Sequence, residues 1–213
     1  MPLVDVKQMA PEVVARLLQA RRNGRMAHAY LFAGDDEAFL ENFATQWIQA
    51  CACLKPTTEG DACNTCEPCR KIAGGYYPEM FELRPQSKSR QILVDEMRAF
   101  EHSFALTARQ GRLKVGLIIE ADRLNQQSQN AFLKTLEEPP ARSLLILIST
   151  QPRRLLPTIR SRCQIISLLK NQRSYEFSLA CGMFPELAKL RPGAGAATAL
   201  AVSHRIQQIF FIC

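Results

Sequence analysis

The chain has 213 residues, 47% hydrophobic and 22% charged, with 27 Lys+Arg against 20 Asp+Glu for a formal charge of +7. That length allows one well-packed domain and part of a second, and the charge suits an acidic partner such as nucleic acid without specifying one. No signal peptide is visible at Met1–Pro11, and the longest apolar runs, Leu144–Ile148 and Ile209–Ile212, are far too short to span a bilayer.

In chain order, Val13, Val14, Leu17 and Leu18 recur at helical spacing from Pro11 to Arg22, and Asn23-Gly24 stops the helix. Ala29–Ala33 reads as a buried strand ending at Gly34, and Phe39, Phe43, Trp47 and Ile48 mark a helix reaching Ala50. Cys51–Cys69 breaks all periodicity. Glu79–Leu83 reads as a strand, Ile92–Phe104 as a helix, Lys114–Glu120 as a buried strand and Gln126–Glu138 as a helix ended by Pro139-Pro140. Leu144–Ser149 is a further strand, Leu155–Arg160 a short helical element, and Cys163–Leu168 a last strand. Nearly continuous apolar strands alternating with helices predict an α/β domain whose parallel sheet is covered on both faces. The first domain is expected over 1–168 and a partial helical lid over 169–213, with 191–213 expected to lack fixed structure.

The chain is expected in the cytoplasm, where eight cysteines need a reason other than disulfides. Cys63, Cys66 and Cys69 form a C-x2-C-x2-C run, and Cys53 lies ten residues upstream. Four thiolates from one short loop can close a tetrahedron around zinc at about 2.3 Å each. The expected module spans 51–70, with Cys53, Cys63, Cys66 and Cys69 as ligands and Cys51 as the substitute for Cys53. Free buried cysteines and an iron–sulfur cluster are the competing readings. A site closed by four cysteines is structural, contributing on the order of 10 kcal/mol to a loop with little core of its own.

A strand, a glycine turn and a helix frame the place of a phosphate loop, G-x4-G-K-[ST]. Counted from Gly34, its second glycine falls on Phe39, its lysine on Leu40 and its hydroxyl residue on Glu41. Asp35, Asp36 and Glu37 would repel a triphosphate. At the strand that would hold magnesium, Ile119 stands where an aspartate is expected and Glu120 remains. No ATP is expected to bind. Thr150 stands where related ATPases keep a polar sensor, with a structural role expected; His28 and Trp47 are read as packing residues.

Three stretches carry a family resemblance: Gly24–Phe32, Asn130–Pro140 and Leu156–Gln164, the last containing Ser161-Arg162-Cys163. They resemble the clamp-loader subunits of bacterial DNA polymerase III, as does Val94–Arg98, and the resemblance covers about residues 11–168. It implies an AAA+ module with an inserted zinc loop, and the degenerate turn after Gly34 sorts the chain with the delta-prime kind. It also implies that Arg162 acts in trans as an arginine finger on ATP held by a neighbour, with Arg160 serving either the structure or the same interface. The implied partners are the gamma/tau and delta subunits, and the sliding clamp and primed DNA through the complex. No membrane is involved. Leu169–Leu190 is expected to begin the lid, whereas Arg191–Cys213 resembles no continuation of that family, so a truncated or frame-shifted end is expected after about residue 170. An ATP-hydrolysing subunit of the gamma/tau kind and a zinc-dependent DNA-binding module are the alternative functions.

Overall fold

The computed structural model describes residues 10–86, 90–105 and 112–168. The chain divides into two compact units, Met1–Leu169 and Lys170–Cys213; the lid expected at 169–213 lies outside the described residues.

Helix α1 (Pro11–Arg22) opens on a proline, whose missing amide costs nothing there. Strand β1 (Ala29–Gly34) leads into α2 (Glu37–Ala52), and a short helix α3 (Glu67–Ala73) lies within the cysteine stretch. Then come β2 (Met80–Leu83), α4 (Val94–Ala105), β3 (Lys114–Ile118), α5 (Gln126–Glu137), β4 (Ser143–Ser149), α6 (Pro157–Arg160) and β5 (Gln164–Leu168). Single 3-10 turns occupy Ala121–Arg123 and Pro152–Arg154.

The five strands form one parallel sheet in the order β2-β3-β4-β1-β5. Leu31 of β1 lies opposite Leu147 of β4 and Ile165 of β5. Alternate side chains enter two cores, as the pleat requires. Tyr30, Phe32, Val115, Leu117, Ile146 and Ile148 pack with α1, α2 and the cysteine loop, whereas Leu31, Ile118, Leu145 and Leu147 pack with α4 and α5. Burying each large apolar side chain is worth about 1.5–3 kcal/mol, so these central strands dominate stability. The result is one parallel sheet flanked by helices on both faces.

Several boundaries differ from the sequence expectation, and one helix was not expected. Strand β3 stops at Ile118 because Glu120 adopts φ 50° and turns the chain into the 3-10 element. Helix α4 starts at Val94, since Ile92 is used in a bridge to Leu124. Helix α3 is too short, at seven residues, for periodicity to announce it.

The connection leaving β1 runs to β2 beyond β4 and β3, while that leaving β4 passes β1 to reach β5. Adjacent strands whose connections diverge open a crevice at their carboxyl ends, where α/β sheets place ligands. Among the described residues, no helix is long and apolar enough to cross a membrane.

Candidate functional site

The crevice is built from the ends of β1, β3 and β4. Gly34 comes so close to the Leu168 carbonyl of β5 that any side chain there would collide with it. Only Asp35 and Asp36 separate Gly34 from α2. Asp36 is extended and caps the helix, its Oδ1 accepting from the Phe39 amide at 3.0 Å.

This geometry corrects the motif count made from Gly34. Phe39, Leu40 and Glu41 lie inside α2, and Phe39 and Leu40 are buried in the core. Leu40 therefore cannot stand at a phosphate. The helix start falls directly after Gly34-Asp35-Asp36, so two acids occupy the turn where a phosphate loop presents its lysine and hydroxyl. The ammonium is missing in either register, because no Lys or Arg occurs between His28 and Lys55.

The surroundings are anionic as well. Burial pushes the Glu37 carboxyl above its ordinary range; the Glu120, Glu41 and Asp122 carboxylates push it further, and Arg90 pulls partly back. Ile119 is buried. Glu120 takes both oxygens to Arg90 Nη2, at 2.9 and 3.0 Å, and pairs with Arg123 at 3.3 Å. Asp122, which sequence reasoning passed over, accepts from the Ser149 hydroxyl at the end of β4. The polar group at that strand end is thus buried Ser149, whereas Thr150 is exposed.

On the α2 side, the Sγ atoms of Cys53, Cys63, Cys66 and Cys69 all lie within 4.8 Å of one another. Cys53 and Cys66 are 3.9 Å apart, close to the spacing of about 3.8 Å that four bonds of about 2.3 Å impose on a tetrahedron. That spacing suits a single ion; a multi-iron cluster would spread its thiolates further apart. Cys51 is excluded from it, lying within α2 with its Sγ 3.7 Å from Met26 Sδ. Hydrogen bonds from the Thr65 hydroxyl, the Thr65 amide and the Cys66 amide pull the Cys63 thiol down to about 5. Burial works against Cys66, but the amides of Cys69 and Leu54 outweigh it and lower this thiol too. Burial raises Cys53 and Cys69. Two thiols whose ionisation is favoured and two that need a cation beside them fit a metal.

The loop is tied in from two directions. Gln49 Nε2 donates to the Cys69 carbonyl at 2.9 Å, and Arg21 Nη1 donates to the Gly60 carbonyl at 3.0 Å. Gly60 has φ 88°, which a side chain would strain.

At the far side of the second core, Ser161-Arg162-Cys163 joins α6 to β5. Cys163 packs inward, burial pushing its thiol up to about 12, and Ser161 donates to the Thr158 carbonyl at 3.0 Å. Arg162 points outward. Its Nη1 donates to the Thr158 carbonyl at 3.0 Å and its Nη2 to Glu137 Oε1 at 2.6 Å. Arg160 has a buried Nε without a hydrogen-bond partner. Buried Gln129 fixes this segment: its Nε2 donates to the Leu124 carbonyl at 2.9 Å, and its Oε1 accepts from the Leu156 amide at 2.7 Å. The available signal for Gln129 was a polar residue on the helical face shared with Phe132 and Leu136. His28 Nε2 donates to the Leu136 carbonyl, 3.1 Å away, and Trp47 meets Tyr30 edge-on at 5.7 Å; both are packing residues.

Residues 9–172 match the family described as DNA polymerase III, delta subunit. The Pseudomonas aeruginosa DNA polymerase III subunit delta' is 41% identical over 64% of the chain and 42% of its own length. The Bacillus subtilis subunit delta' is 31% identical over 76% and 48%, and the Escherichia coli subunit tau is 34% identical over 71% and 23%. The chain thus spans about half the length, or less, of these relatives. A gamma subunit-related protein of DNA polymerase III from Thermotoga maritima shares the fold, with a TM-score of 0.50 at 20% identity over 77% of this chain and 49% of that one.

Proposed function

We infer the function from one premise: the chain belongs to the family of DNA polymerase III delta subunits, with the subunits named delta' among its relatives. The proposal is a clamp-loader subunit of the delta-prime kind, which hydrolyses no ATP itself. It completes the ATP site of a neighbouring gamma/tau subunit with Arg162. With the delta subunit, that assembly would place the sliding clamp on primed DNA in the cytoplasm.

One observation supports this reading above the rest. Among the described residues, the crevice that would hold a triphosphate carries a carboxylate cap and no ammonium, while an arginine stands half-exposed on another face. A triphosphate in the crevice would meet like charge at close range. A guanidinium, by contrast, offers a planar fork and a permanent charge to a γ-phosphate as charge builds on it. Zinc held by Cys53, Cys63, Cys66 and Cys69 would be structural, fastening the loop between α2 and α3, since four thiolates leave no open position.

The test is turnover by the complex reconstituted from this chain with gamma/tau and delta subunits. Arg162→Ala should lower its ATPase rate steeply, toward the factor of about 10³ that arginine fingers supply, with the chain's fold and metal content unchanged. Unchanged turnover removes the role in trans. Magnesium-dependent retention of ATP by the isolated chain removes the non-hydrolysing role and favours the gamma/tau reading.

A further inference from the structure

We propose that Glu137 is a positioning residue for Arg162, holding the guanidinium from behind so that its free edge faces a nucleotide on a neighbouring subunit. The inference rests on the role of Arg162 in trans given above, and it assigns the residue that makes that role geometrically possible.

An arginine on a surface loop has four flexible bonds and no reason to hold one direction. Arg162 nevertheless has two anchors from separate parts of the chain. Glu137 lies in the last turn of α5, just before Pro139-Pro140 closes that helix, and its Oε1 is 2.6 Å from Nη2. Thr158 belongs to α6, and its carbonyl takes Nη1 at 3.0 Å. Glu137 is the last residue of α5, at a helix C-terminus where the partial charge is negative. A carboxylate is unfavourable at such an end unless a cation neutralises it. Arg162 does so, and is oriented in return.

The anchors occupy one N–H on each of Nη1 and Nη2. A guanidinium has five N–H donors, so three remain for an incoming ligand. The pair is open to water, with side-chain exposures of 35% for Arg162 and 51% for Glu137. Exposed ion pairs add little to stability, so stabilising the fold is a poor explanation for this contact. Orientation is the better one: a planar fork fixed beforehand loses less freedom when it engages phosphate oxygens. Glu137 also draws on the rigid body of α5, which Gln129 locks to the α6 segment through Leu156.

The test compares Glu137→Ala, Glu137→Gln, Arg162→Ala and the Glu137→Ala/Arg162→Ala double variant in the reconstituted complex. Glu137→Ala should lower kcat about 10-fold, short of the factor of about 10² that gross misplacement can cost, with KM for ATP changed by less than about twofold. Glu137→Gln, whose carbonyl still accepts one bond, should fall between Glu137→Ala and the wild type. The double variant should be no slower than Arg162→Ala. If Glu137→Ala keeps full kcat while Arg162→Ala is slow, the positioning role is wrong. If Arg162→Ala itself keeps full turnover, the role in trans falls and takes this inference with it. A second measurement needs no assembly: nuclear magnetic resonance of the arginine side chains in the isolated chain. The Arg162 guanidinium should rotate slowly in the wild type and quickly in Glu137→Ala; fast rotation in both overturns the proposal.

Discussion

Replacing Gln129 with alanine tests whether one buried amide holds the segment that carries Arg162. Gln129 is 5% exposed and makes two short bonds, to the Leu124 carbonyl at 2.9 Å and from the Leu156 amide at 2.7 Å, besides a longer one to the Arg154 carbonyl at 3.4 Å. Removing one partner of a buried hydrogen bond costs about 1–3 kcal/mol in unsatisfied polar groups. The Leu156 amide is only partly buried and belongs at the low end of that range, so the pair together comes to about 2–4 kcal/mol. For a chain of this size, each kcal/mol shifts the melting temperature by about 2–4 °C, giving an expected fall of roughly 5–15 °C. Thermal unfolding followed by circular dichroism reads this directly. Gln129→Met fills the same volume without the two bonds and should lose nearly as much, separating hydrogen bonding from the cavity. A fall of less than about 2 °C for both variants would show that the two backbone groups find water instead.

On the proposal that the four cysteines hold zinc, chelation or Cys69→Ser should loosen α3 and the last turn of α2, because such an ion would contribute on the order of 10 kcal/mol. Elemental analysis should find one zinc per chain, and fluorescence of Trp47, the single tryptophan, should shift when the ion leaves. A stripped chain that melts like the loaded one contradicts a structural role. Glu37→Gln should stabilise the protein at neutral pH. The Glu37 carboxyl is raised in the folded state by burial and by Glu120, Glu41 and Asp122, so the native protein favours its protonated form. That stability is fully present below the ordinary value of 4.5 and is lost as pH rises through the raised folded value. The gain from Glu37→Gln should therefore appear at pH 7 and vanish near pH 4; a melting-temperature gain equal at both would show that the carboxylate cluster is not its cause.

Sequence alone was enough for whatever depends on neighbours along the chain. Unbroken apolar runs at Ala29–Ala33, Val115–Ile119 and Leu144–Ile148 can be buried only inside a sheet covered on both faces. Pro139-Pro140 must end α5 where it does, and a C-x2-C-x2-C run brings its own sulfurs together whatever surrounds it. The lack of any base between His28 and Lys55 is likewise a property of the string.

Tertiary structure decided everything that depends on where distant segments meet. Sequence favoured Cys53 and kept Cys51 as its substitute; the pitch of α2 turns Cys51 toward Met26 and leaves Cys53 at the helix end, facing the other thiols. The early start of α2 moved Leu40 from a supposed phosphate contact into the core, which no motif count could reveal because the loop is shorter than the motif. Asp122 with Ser149, Gln129 with Leu156 and Glu137 with Arg162 are each separated by about 25 residues of sequence. Such pairs carry no local periodicity. They form because packing the helices on the sheet leaves particular donors and acceptors out of reach of water, and only the assembled fold determines which ones.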